Sequence, residues 1–129
     1  MDYLADTVTI IRHFSGAGKI GSGAREILSG VDEGKHRLYI SVISLVEILY
    51  LSEKRRIKIN LEEALDMIQG SSNYTLVDLT SRILQTAERI NFPEIFDRLI
   101  LATAQYLKAP LITSDRKIRA GDFVESIWT

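Results

Sequence analysis

Four short strand-like runs, Tyr3-Leu4-Ala5, Arg37 to Ile40, Tyr74 to Leu79 and Pro110 to Thr113, alternate along this chain with segments of helical periodicity. Strands this short and this apolar belong in a sheet covered on both faces, and parallel strands need a crossover that is usually a helix. The alternation therefore predicts an α/β fold, a three-layer α/β/α sandwich on a mainly parallel sheet of four or five strands. Phe123 to Trp128 supplies the fifth. The 129 residues fit a single domain, 1–129, large enough to bury a core of its own. Only Pro93 and Pro110 occur, both beside element boundaries, and no Ser/Pro-rich linker divides the chain.

The intervening segments read as follows. Thr7 to Phe14 is ambiguous, because Thr7, Val8, Thr9, Ile10 and Ile11 favour strand while Val8, Ile11 and Phe14 also fit one helical face. Ser22 to Ser29 is a short helix and Val42 to Glu53 a mostly apolar one. Asn60 is an N-cap with Glu63 three residues on, ahead of Leu61, Ala64, Leu65 and Ile68 at helical spacing. Thr80 to Asn91 is amphipathic, Pro93 opens a helix to about Leu107, and a short helix follows Asp115.

Composition removes several chemistries. Cysteine is absent, which excludes disulfide scaffolds, thiolate zinc sites and cysteine nucleophiles. Sixteen basic residues face seventeen acidic ones, so any nucleic-acid contact must come from a local patch. Asp2 and Asp6 interrupt the N-terminus where a signal peptide needs an apolar stretch, and the uncharged run Leu38 to Val46 is far short of a membrane span. The expectation is a soluble protein of the cytoplasm with no membrane partner.

In a parallel sheet the informative residues are those just after each strand, because ligands bind at the carboxyl edge. Asp6 follows the first strand and Asp115 the strand Leu111-Ile112-Thr113. Glu47 lies one turn into the helix after the second strand, and Asp97 in the first turn of the helix opened by Pro93. Each has an ordinary explanation. Asp6 and Asp115 suit N-caps, Ser44-x-x-Glu47 matches a capping box, and Asp97 suits the positive end of a helix dipole.

Two features argue for more. Glu47 is the only charge between Arg37 and Glu53, where an ionised carboxylate is costly unless something positive pairs with it. Carboxylates that meet at one rim also repel, by roughly 4 kcal/mol per pair at about 4 Å and an effective dielectric near 20. A divalent cation relieves both costs. Both histidines, His13 and His36, lie outside these positions, His13 packing or facing solvent at a helix end and His36 in a charged turn. An all-oxygen donor set favours Mg²⁺ or Mn²⁺ over zinc.

The series Tyr3-Leu4-Ala5-Asp6-Thr7, Ser44-Leu45-Val46-Glu47, Asp97-Arg98-Leu99-Ile100-Leu101-Ala102-Thr103-Ala104 and Leu111-Ile112-Thr113-Ser114-Asp115 resembles the PIN-domain ribonucleases, above all the small VapC-like toxins of toxin–antitoxin pairs. The resemblance runs over essentially the whole chain. It implies an endoribonuclease dependent on Mg²⁺ or Mn²⁺, with Asp6, Glu47, Asp97 and Asp115 on the acidic catalytic positions and Thr7 and Thr113 on hydroxyl positions lining the site. Two residues depart from the pattern: Val8 stands where a small polar residue is common, and Lys117 where an acidic one is frequent.

Phosphodiester hydrolysis needs an activated water and neutralised phosphate oxygens, which one or two divalent ions supply. Asp6, Asp97 and Asp115 are expected to be metal ligands, and Glu47 a ligand or a base that positions water. Arg98, Arg116 and Lys117 are candidate contacts to RNA phosphates, with Arg119 and Lys54-Arg55-Arg56 nearby. The resemblance further implies a homodimer and a small antitoxin that inserts an apolar segment, for which Tyr50, Phe14 and Ile57 are candidate contacts.

Two other readings compete. Gly16-Ala17-Gly18-Lys19-Ile20-Gly21 is a literal G-x-G-x-x-G, which binds a nucleotide only if it follows a strand. No acidic residue ends the next strand to hold a ribose, and Ser22 replaces the lysine of a P-loop, so a flexible connection between two helices is the better account. Alternatively the scaffold binds RNA or protein without cutting.

Overall fold

The predicted alternation is present in a computed structural model that describes residues 1–129. In chain order the elements are β1 (Asp2–Ala5), α1 (Thr7–Ser15), α2 (Ser22–Asp32), β2 (Arg37–Ser41), α3 (Val42–Glu53), α4 (Leu61–Gln69) and β3 (Tyr74–Val77). They continue with α5 (Ser81–Glu88), α6 (Ile95–Leu107), β4 (Leu111–Ile112), α7 (Arg116–Ala120) and β5 (Ser126–Ile127). All five strands are parallel, in the order β3-β2-β1-β4-β5. The chain winds outward from β1 to β3, then returns through α5 and α6 to lay β4 on the other flank of β1. That reversal makes the carboxyl ends of β1 and β4 the switch point of the sheet, where open α/β folds bind ligands.

Period-two alternation sends each strand's side chains to two separate cores. Tyr3, Ala5, Leu38, Ile40 and Ile112 pack with Ile10, Leu28, Leu45 and Ile68 of α1 to α4 on one face. Leu4 and Leu111 pack with Ile83, Ala87, Leu99 and Ile100 of α5 and α6 on the other. A sheet covered on both faces has no room for polar alternation, and this is why the strands read as apolar runs.

Local chemistry decides the ambiguous segments. Thr7 to Ser15 is helix despite its β-branched residues: the Asp6 side chain accepts from the Thr9 N–H, and Gly16 ends the helix in the left-handed region at φ 70° with its N–H donating to the Arg12 carbonyl. Asn60 and Glu63 form the expected reciprocal capping box, at 2.9 and 3.2 Å.

Several expectations need correction. The N-cap of α3 is Ser41, whose hydroxyl accepts from the Ile43 N–H at 3.0 Å, so Ser44-x-x-Glu47 lies inside the helix and is no capping box. Pro93 stands outside α6, which starts at Ile95 behind an N-cap at Glu94. Gly16, Gly18 and Gly21 follow a helix, not a strand, which removes the nucleotide-binding reading. Their connection is also held, since the Arg12 guanidinium donates to the Lys19 carbonyl at 2.8 Å. Phe14 is buried at 8 % exposure and Ile57 packs against the same core, so of the three proposed partner contacts only Tyr50 is exposed. His36 stacks edge-on to Tyr3 with centroids 5.3 Å apart, a packing role.

Candidate metal centre at the sheet switch point

β1 and β4 pair Leu4 with Leu111 and Ala5 with Ile112, so Asp6 and the segment Thr113-Ser114-Asp115 leave the sheet side by side. Asp6 Oδ1 accepts the Thr9 N–H at 3.0 Å, and Oδ2 accepts the Thr113 hydroxyl at 2.5 Å. The Thr113 oxygen accepts the Asp115 N–H at 3.1 Å. Asp115 Oδ1 in turn caps α7, accepting from the N–H groups of Lys117 at 2.9 Å and Ile118 at 3.0 Å. Both aspartates are therefore N-caps, and one buried threonine hydroxyl ties them together. Capping fixes these carboxylates in place without excluding a second role.

Glu47 approaches from α3. Its Oε1 accepts the hydroxyl of buried Thr7 at 2.5 Å, and Thr7 Oγ1 lies 3.0 Å from Ser44 Oγ. Asp97 comes from the first turn of α6, where the N-cap residue makes no side-chain capping bond. Glu94, the N-cap residue three positions before it, adds like charge that raises the Asp97 carboxyl further. Glu94 is the acidic member that sequence reasoning missed. The signal was there, an acid three residues ahead of Asp97 and thus a neighbour on one helical face.

The electrostatics are one-sided. Burial pushes the carboxyl groups of Asp6, Glu47 and Asp97 above their ordinary range, Asp97 to about 7. Like charge adds to this: Asp115 acts on Asp6, Asp6 and Glu94 act on Glu47, and Glu94, Asp115 and Glu47 act on Asp97. Hydrogen bonds oppose the rise, those from Thr113 and Thr9 at Asp6 and from Thr7 at Glu47, and no lysine or arginine forms an ion pair with any of the three. The four predicted carboxylates thus share one electrostatic neighbourhood that the chain leaves uncompensated. They do not close up, since no three acidic or imidazole groups form a ready-made cation cage. The donors are carboxylate and hydroxyl oxygens throughout, a hard set that fits Mg²⁺ or Mn²⁺.

The predicted basic contacts divide. Arg116 and Lys117 are exposed beside Asp115, whereas Arg98 is partly buried and its Nε has no hydrogen-bond partner. On the other side of Glu47, Val46, Tyr50, Leu51 and Phe96 line an apolar cavity of about 290 Å³ between α3 and α6. No helix is long and apolar enough to cross a membrane.

Comparison with known proteins places this arrangement. No curated protein matches the sequence. Solved structures do match in fold: VapBC2 from Rickettsia felis bound to a promoter DNA fragment (TM-score 0.75, 18% identity, all of both chains covered) and DNA-bound VapBC from Salmonella typhimurium (0.69, 19%, 98% of this chain and 96% of that one). A toxin–antitoxin complex from Klebsiella pneumoniae is similar too (0.63, 21%, 95% and 94%). The sequence pattern of the PIN domain matches residues 3–124, which include all four predicted carboxylates and Glu94. With nearly its whole length matched, the chain belongs to the PIN domain family.

Proposed function

We propose that residues 1–129 act as one divalent-metal-dependent endoribonuclease domain, the toxin of a toxin–antitoxin pair. The observation that carries this is the uncompensated acidic neighbourhood at the switch point. Three partly buried carboxyl groups, Asp6, Glu47 and Asp97, are pushed up by burial and by neighbouring acids, and no lysine or arginine lies in ion-pair contact with any of them. PIN-domain nucleases use divalent metal ions, and such an ion, held by Asp6, Asp97 and Asp115 with Glu47, would supply charge against the phosphate oxygens and acidify a bound water.

The chain's own groups prepare that step. Thr113 donates to Asp6 and accepts from Asp115, fixing the spacing of two ligands. Thr7 donates to Glu47 Oε1, leaving Oε2 to bind the ion or to take a proton from the attacking water. Positive charge bound there would draw the raised Asp97 carboxyl back to its ionised form. Arg116 and Lys117, exposed next to Asp115, contact the RNA phosphates.

The partner is a small antitoxin seated on the strip Val46, Tyr50, Ile95 and Phe96, all more than two-fifths exposed beside Glu47. The matched structures are toxin–antitoxin complexes, which supports this reading. If a homodimer forms, light scattering of the chain alone detects it, and loss of the dimer in Tyr50→Glu would assign the strip to a second copy instead.

Incubating the purified protein with total RNA, with and without Mg²⁺ or Mn²⁺, and mapping the ends tests the activity. Cleavage should require the ion and stop in EDTA. Activity that persists after exhaustive metal removal overturns the metal-dependent mechanism. A thermal shift with Mg²⁺ but no cleavage of any RNA returns the chain to the non-catalytic reading.

A further inference from the structure

The largest cavity lies outside the acidic neighbourhood. It occupies about 490 Å³ between α7 and β5, within the range of pockets that hold small ligands, roughly 300–1,000 Å³. Arg116 and Arg119 line it three residues apart on α7, so both guanidinium groups belong to one wall. No acidic side chain lines it. Neither arginine has a carboxylate partner, since the chain's ion pairs are His13–Asp32 and Lys35–Glu33. The Arg119 guanidinium donates only to the Thr129 hydroxyl, at 3.2 Å.

Trp128, the only tryptophan of the chain, lines the same cavity while part of its side chain packs on the core under α1 to α4. Its position is fixed by its own backbone, because its carbonyl accepts the Ala24 N–H of α2 at 2.9 Å. The indole edge packs so closely on Gly21 that a Cβ there would meet Trp128 Cδ1 at 2.8 Å and the carbonyl oxygen at 2.3 Å. The glycine is therefore a packing requirement of the tryptophan, which accounts for the last glycine of the G-x-G-x-x-G run. An aromatic residue and two arginines without carboxylate partners on one cavity match the two chemistries of a nucleotide, a stacking base and an anionic phosphate. The cavity wall is also next in the chain to the site, since Arg116 directly follows Asp115.

We propose that the α7–β5 cavity is the subsite for a nucleotide next to the scissile phosphate of single-stranded RNA, with Arg116 and Arg119 on its phosphate and Trp128 against its base. This rests on the nuclease reading above. A single strand is required because a base inside a duplex cannot leave its stack to reach the indole.

The tryptophan is its own probe. A short mixed-sequence single-stranded oligoribonucleotide is titrated against the full chain in EDTA, where cleavage is arrested, while Trp128 emission is followed. Emission should be quenched to saturation. Arg119→Gln, at an exposed position, should weaken binding about tenfold and lower the salt slope by about one. With Mg²⁺ present its cleavage should fall through KM. Asp97→Asn should lose cleavage and keep the quenching. If RNA is cut while emission stays flat, or Arg119→Gln binds as wild type does, the cavity is not the subsite and the nuclease reading survives. Quenching that depends on Arg119 with no cleavage keeps an RNA site but overturns its place in a cleavage reaction. Equal quenching by duplex RNA overturns the single-strand assignment, and equal quenching by polyglutamate overturns RNA as the ligand.

Discussion

At the amino-terminal edge of the sheet, Asp32 at the end of α2 meets His13 Nε2 at 3.6 Å, and the same nitrogen lies 3.3 Å from the Tyr74 hydroxyl. Burial and the neighbouring Asp32 push the Tyr74 hydroxyl up to about 12, so that group stays a neutral donor at any ordinary pH. At the carboxyl edge, Asp6, Glu47, Asp97, Asp115 and Glu94 share one neighbourhood in which Thr113 links Asp6 to Asp115 and Thr7 donates to Glu47, with no basic side chain in ion-pair contact. One end carries an acid with a potential cation in reach and most of its side chain in water. The other gathers four partly buried acids and an exposed one and supplies only hydrogen bonds. A fold able to place a histidine beside a carboxylate at one edge leaves five acids without a basic partner at the other, and this imbalance is what supports the proposed cation site.

The sharpest way to break the contrast is Asp97→Asn. Metal-dependent cleavage should fall by at least about a hundredfold, the scale on which loss of a group that stabilises transition-state charge is felt. In EDTA the variant should melt no lower than wild type, because repulsion has been removed, and Mg²⁺ should stabilise it far less. A variant that is destabilised and fully active would reduce Asp97 to a helix-dipole residue and take much of the nuclease assignment with it.

Paired hydroxyl removals compare the two ends directly. Thr113→Val leaves the Asp115 N–H without its partner and Asp6 with one donor fewer, so it should cost about 1–3 kcal/mol and impair cleavage as well. Tyr74→Phe removes a longer contact from the compensated end and should cost about 0.5–1.5 kcal/mol with cleavage unchanged. Urea unfolding beside an RNA-cleavage assay reads both, and equal loss of activity in the two variants would abolish the distinction.

Proton linkage sharpens the contrast further. Asp97 titrates at about 7 in the fold against an ordinary 3.8, so between those values the native state holds more protons than the unfolded chain. Stability of the metal-free protein should therefore fall as pH rises through that window. The slope should flatten in Asp97→Asn. Melts in EDTA across pH 4 to 8 measure it, and a wild-type curve that rises through the window would reverse the assignment. The smallest effect is expected far from both ends, where Asn60→Ala removes one half of the capping box and should cost about 1 kcal/mol without touching cleavage.

Much of this was legible in the residues, for identifiable reasons. Asp6, Asp97 and Asp115 could be read because each follows a strand or starts a helix, positions a parallel sheet delivers to one rim, and Glu47 because it is the only charge in an apolar run. The strands showed as apolar runs because both sheet faces are covered. The junction between β2 and α3 was harder. From Leu38 to Leu51 nearly every residue is uncharged, so periodicity does not mark where the helix begins, and Ser44 passed for the cap that Ser41 provides. Pro93 drew attention away from Glu94, the true N-cap of α6. The α7–β5 cavity was out of reach, because it depends on Trp128 meeting Gly21 across more than a hundred residues.

The shortness of β5 has a kinetic consequence. It joins the sheet by a two-residue ladder at an edge, whereas β3 at the opposite edge pairs with β2 over four residues. The amides of Leu111 and Thr113 donate into the β5 segment, to Glu125 and Ile127, while those of Leu4 and Asp6 donate into the β4 segment, to Pro110 and Ile112. Fraying of β5 therefore releases the first pair and spares the second, and deuterium should enter Leu111 and Thr113 well before Leu4 and Asp6. Because Trp128 directly follows β5, the wall of the cavity breathes on a faster clock than the carboxylates beside it.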